Sequence, residues 1–147
     1  MSLHFPDLTQ HPPRSPRVQL GGYVILPRCL DKGRALLAGK NGEYHYACPV
    51  DMQFFDFVGI DPEDLKKQLS KSDTEVLEWI QANAKHQRAP SEIAAWSAGQ
   101  EQRAPDNPDS RAFFNATQKK IAPTRTDLIT WFDLLDLDDY VSFGGKG

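Results

Sequence analysis

The sequence predicts an all-α fold, a compact bundle of about five or six helices led in by a proline-rich N-terminal arm, with room for one short β element. Three observations carry this. Two prolines, Pro62 and Pro108, stand directly behind Asp or Asn, where helices start. Those starts are followed by apolar residues at helical spacing. The one stretch that reads as extended outside the arm, Glu43 to Cys48, is short. At 147 residues and 39% hydrophobic content, the chain fits one domain, residues 1–147, with one core. That composition excludes a wholly disordered chain.

The arm comes first. Pro6, Pro12, Pro13 and Pro16 predict an extended, polyproline-like segment over residues 1–16. Pro13-Arg14-Ser15-Pro16 matches the P-x-x-P pattern. Docking of the arm on its own domain is favoured over docking in a partner's aromatic groove. Val18 to Leu26 is ambiguous. Its Gly21-Gly22 and Tyr-Val-Ile-Leu run suit extended chain. The spacing of Leu20, Val24, Ile25, Leu30 and Leu37 leans toward a helix kinked at Pro27. Asn41-Gly42 marks a turn.

Later starts are clearer. Asp61-Pro62 pairs an N-cap with a first-turn proline, as does Asn107-Pro108. Ser72 to Glu75 is a capping box, followed by the stripe Val76, Leu77, Ile80 and Ala84. Pro90 opens a helix carrying Ile93, Ala94 and Trp96 to Ala98. Phe113, Phe114, Thr117 and Ile121 follow Pro108 at helical spacing, and read as core. Thr126-Asp127 is read as the opening of the last helix. Its Leu128, Ile129, Trp131, Phe132, Leu134 and Leu135 predict the most buried helix of the fold.

Charge is unevenly spread. The net charge of −3 argues against nucleic acid as a partner. Residues 1–40 hold Arg14, Arg17, Arg28, Lys32, Arg34 and Lys40, whereas residues 126–145 hold Asp127, Asp133, Asp136, Asp138 and Asp139 and no base. The two ends are expected to face and neutralise each other, with a basic cleft for an anion as the sharper alternative. The first residues lack the apolar run of a signal peptide, and no stretch is long enough to cross a membrane. A cytoplasmic location is expected, with Cys29 and Cys48 as reduced thiols and no membrane partner.

Motifs narrow the chemistry by exclusion. Gly33 and Gly39-Lys40-Asn41 fail as a phosphate loop in spacing and in lacking Ser or Thr after the Lys. Asp136 to Asp139 lacks the later ligands and glycine of a calcium loop. His45 and Cys48, with Cys29 and Asp51, fall short of a zinc pattern. They read as packing residues, ahead of a catalytic Cys–His pair. No cofactor or metal is expected. Arg28, Asp31, Lys32 and Arg34 lie on one predicted helix, with Asp31 three residues from Arg28 and from Arg34. An intrahelical ion-pair ladder is the plainer reading. The functional one has Asp31 orienting an arginine toward an anion.

The runs SPRVQLGGYVILPRCLDKGRA, GEYHYACPVD, FFDFVGID, EIAAWSA and TWFDLLDLDDYVSFGGKG together resemble a small bacterial family, domain-of-unknown-function family 5069. The resemblance covers the chain from about Leu8 onward. It implies a bacterial, cytoplasmic, mainly helical single domain, and it brings no catalytic residue or cofactor with it. Two functions follow from the sequence. The first is a non-enzymatic binding or protein-interaction module. The second is a small enzyme or a binding protein for a small anionic ligand, with its site where residues 28–34 meet residues 43–51. The residues expected there are Arg17, Arg28, Asp31, Tyr44, His45 and Asp51.

Overall fold

A computed structural model describes residues 5–145 of the chain. Among these the protein forms α1 (Leu26–Leu37), α2 (Pro49–Val58), α3 (Pro62–Lys66), α4 (Asp73–Asn83), α5 (Pro90–Gln102), α6 (Pro108–Ile121) and α7 (Trp131–Ser142). The fold is all-α. The count exceeds expectation because Pro49–Val58, for which no start was read in the sequence, is a helix. Asp61-Pro62 opens a short helix as expected, with the Asp61 side chain accepting from Glu63 N–H. Among the described residues there is no strand, only an isolated bridge between Leu20 and Tyr23.

The cap chemistry works largely as the sequence indicates. Proline occupies the first turn of α1, α2, α3, α5 and α6, where its missing N–H leaves no bond unmade. Ser72 and Glu75 form the expected reciprocal capping box on α4. The last helix starts later than Thr126. Thr130 is its N-cap, accepting from Asp133 N–H at 3.1 Å, while Arg125 and Asp127 pair in the turn before it.

Val18 to Ile25 is not a helix, and Pro27 does not kink one. Leu20 and Tyr23 exchange two backbone hydrogen bonds of 3.0 Å around Gly21 and Gly22, which take φ of +60° and +85°. Glycine reaches that region without strain. A Cβ at Gly21 would also stand 2.7 Å from the Leu77 side chain. Ile25 then turns into α1 at φ 74°, fully buried, with its N–H on Pro16 C=O at 2.8 Å. A β-branched residue in that region is held by its surroundings, here the core on its side chain and the arm on its backbone.

The core joins Val24, Leu26 and Leu30 to Phe54, Phe55, Val58, Leu65, Leu69, Val76 and Ile80, with Phe132 from α7. Side chains of this size contribute about 1.5–3 kcal/mol each when fully buried. The most buried helix is α1, not α7, and its buried residues include Arg28, Lys32 and Arg34. The arm docks on its own fold, with Leu8, Pro13 and Pro16 buried. It has no regular secondary structure over residues 12–15 and is turned over residues 8–10, and its first four residues lie outside the described residues. The aromatic stripe of α6 splits: Phe114 is core, whereas Phe113 is 64% exposed.

Candidate functional site

The cations of α1 do not form a ladder along the helix. Each reaches a carboxylate brought from elsewhere. Asp31 accepts from Arg14 of the arm at 3.0 Å, and Arg34 Nη1 meets Asp73 at 2.7 Å. Arg17 bridges Asp133 and Asp136 of α7. The basic N-terminal third and the acidic α7 therefore face each other.

Arg28 and Lys32 sit one turn apart and share a face of α1. Arg28 makes a two-pronged contact with Asp139 of α7, Nη1 to Oδ2 at 2.7 Å and Nη2 to Oδ1 at 3.2 Å. The Tyr44 hydroxyl donates to the same carboxylate at 2.8 Å, and its ring lies under the Arg28 guanidinium at 5.5 Å. Burial and the hydrogen bond to Asp139 push the Tyr44 phenol above its ordinary range, so it remains a neutral donor at physiological pH. Burial alone would weaken the charge on Arg28, but the bond to Asp139 outweighs it and raises the pKa.

The Lys32 ammonium lies 2.9 Å from Asp51 Oδ2, in a pair 4% and 0% exposed. It also donates to Cys48 Sγ at 3.2 Å. Desolvation opposes the Lys32 charge, yet the Asp51 carboxylate and the Cys48 sulfur more than offset it, so its pKa rises. Asp51 Oδ2 takes a further bond from Ala47 N–H at 3.0 Å, and Ala47 adopts φ 61°. Among the described residues Asp51 Oδ1 has no hydrogen-bond partner.

These groups underlie a cleft of about 490 Å³ between the arm, α1, the residue 42–48 loop and α7. Arg28, Lys32, Tyr44 and Cys48 are its polar floor. Leu8, Val50, Leu135 and Phe143 are its apolar walls, and Glu43, His45 and Asp138 also line it. Of the residues expected from sequence, Arg28, Tyr44 and His45 line this cleft, and Asp51 stands behind Lys32. Asp31 and Arg17 do not line it, being held by Arg14 and by α7. His45 is exposed rather than a packing residue. Cys29 is fully buried, and the hydrogen-bond partner of Cys48 is Lys32, not His45. Both thiols are free. Among the described residues no set of three or more His, Cys, Asp or Glu is placed to hold a metal ion.

Lys32, Cys48, Leu135 and Asp139 were not among the residues expected at the site. The i, i+4 spacing of Arg28 and Lys32 was the available signal. Their acidic partners lie 111 and 19 positions away along the chain (139 − 28 and 51 − 32), and only the fold brings them in. A second cavity of about 530 Å³ continues from the same walls, sharing Val50 and Leu135, toward Phe113, Thr117 and Trp131.

A protein-family model matches residues 10–141. The chain belongs to the family described as Domain of unknown function (DUF5069). The matched DUF5069 span takes in every floor residue of the cleft, together with Val50 and Leu135 of its walls, and leaves out Leu8 and Phe143. The comparison with curated proteins finds no match. Among the described residues of this DUF5069 chain, no helix is long and apolar enough to cross a membrane.

Proposed function

We propose that this is a bacterial cytoplasmic protein that binds a small amphipathic carboxylate in the cleft between α1, the residue 42–48 loop and α7. One observation carries the reading. Arg28 and Lys32 are 4% and 3% exposed, yet both line the same cleft opposite apolar walls. Among the described residues, Lys32 commits two of its three ammonium protons, and the Nε–H of Arg28 is uncommitted. Those spare donors suit one acceptor head group, and Leu8, Val50, Leu135 and Phe143 suit an apolar body. Glu43 and Asp138 line the cleft too and disfavour a polyanion, which leaves a monoanion. Two free thiols fit a reducing compartment.

A thermal-shift series from hexanoate to dodecanoate tests this. Ligand at a hundred times its Kd stabilises the fold by about 2.7 kcal/mol. Decanoate is expected to raise Tm more than hexanoate, and decanol is expected to have little effect. Leu135→Glu, which places a like charge in the apolar wall, abolishes the shift. No shift with any chain length, or an equal shift in Leu135→Glu, refutes the reading.

A protein-interaction module is the second reading, favoured by the groove that holds Phe113, 64% exposed, beside Trp131. It predicts concentration-dependent sedimentation, or a partner, lost in Phe113→Ser. A strictly monomeric protein with unaltered pull-downs in that variant counts against it.

A further inference from the structure

We propose that Cys48 is a nucleophilic site that adds to small α,β-unsaturated carbonyl compounds entering the cleft. The inference deepens the cleft-binding reading and rests on it only in requiring that the cleft admit a small molecule.

Cys48 is half-buried, lines the cleft, and caps α2 from the position just before Pro49. Its sulfur accepts from the Lys32 ammonium, which Asp51 holds in place from the other side. Nucleophile, cation and carboxylate thus form a connected chain, with a cation as the direct neighbour of the sulfur. A purely structural ion pair would use its hydrogen-bonding capacity within the fold. Here, among the described residues, Lys32 leaves one proton uncommitted while lining the cleft. Cys29 supplies the internal contrast, because it is fully buried and its environment holds the thiol well above the ordinary range.

A carbonyl next to a carbon–carbon double bond fits both the sulfur and the donors. The Cys48 thiol releases its proton to solvent water, and its sulfur forms a bond to the β-carbon. The double-bond electron pair shifts toward the carbonyl oxygen, where Lys32 and Arg28 meet the developing negative charge. The proton returns to the α-carbon. The net step is an addition; nothing leaves and no oxidant or reductant takes part. Lys32 supports the reaction on both sides, first at the sulfur and then at the carbonyl oxygen.

Acrylamide is the probe, its adducts counted by intact mass and located by peptide mapping on the folded protein at pH 7. The proposal predicts a single adduct on Cys48, formed at least about tenfold faster than on glutathione under the same conditions. In the double variant Lys32→Met, Asp51→Leu, which removes both buried charges together, the rate falls to that of glutathione or below. A wild-type Cys48 no faster than glutathione overturns the proposal, and so does a folded double variant as reactive as wild type. If the double variant fails to fold, the comparison with glutathione decides alone. A protein that binds decanoate but has a slow Cys48 loses this inference and keeps the cleft reading. A fast Cys48 without decanoate binding does the reverse.

Discussion

On α1, Arg28, Lys32 and Arg34 are no more than 4% exposed, whereas Phe113 of α6 and Ile129 before α7 are 64% and 66% exposed. Polarity and burial run opposite to the usual relation in both regions. The difference lies in what each side chain meets. Every cation of α1 finds a carboxylate from another element, so desolvation is offset by pairing. Phe113 and Ile129 are exposed and are not part of the main core cluster. Partners that arrive from distant sequence decide burial here, and hydropathy along the chain does not register them.

Breaking one charge of the buried pair has the largest expected effect. Lys32→Met leaves Asp51 uncompensated and is expected to destabilise the fold by about 3–5 kcal/mol in urea unfolding. Adding Asp51→Leu is expected to recover most of that loss, because no unpaired charge remains. A double variant as unstable as the single one breaks the comparison, since α1 would then need the charges themselves. Asp73→Asn ranks next, at about 1–3 kcal/mol, because it withdraws a carboxylate shared by Arg14 and Arg34.

The pH profile sharpens the same point from both ends. Burial alone would raise the Asp73 pKa, but Arg14 and Arg34 bring it below 3.8. Its contribution is therefore present above about pH 4 and lost as pH falls through the lowered value. Lys32 and Tyr44 are raised above 10.5 and 10.0. The unfolded chain releases those protons first, so stability falls as pH rises from about pH 10. Denaturant midpoints across the range check both limbs, and the variant lacking Lys32 and Asp51 should show a shallower alkaline loss than wild type. The smallest effect belongs to the exposed side. Phe113→Ser is expected to change stability by no more than about 0.5 kcal/mol, and a larger loss would place Phe113 in the core after all.

Local chemistry was legible in the sequence. Ser72-Glu75, Asp61-Pro62 and Asn107-Pro108 start helices because cap and first-turn proline act within a few residues. Contacts made across the fold were not legible. Val18 to Ile25 has helical spacing, but its backbone bonds go to Pro16 and around the Gly21-Gly22 turn. Leu128 and Ile129 extend the apolar pattern of α7, yet Thr130 takes the cap because Asp133 can return the bond to its N–H. The site was half legible for the same reason. Arg28, Tyr44 and His45 share the cleft, whereas Asp31 was claimed by Arg14 and Arg17 by α7, pairings that only the fold decides.

The most direct test of the central claim is a ¹H–¹⁵N correlation spectrum of the full chain titrated with decanoate. The account predicts saturable shifts gathered at Leu8 and Thr9, Arg28 to Lys32, Gly42 to Val50 and Leu135 to Phe143. Shifts confined to the groove of Phe113, Thr117 and Trp131, or no shifts at all, would contradict it.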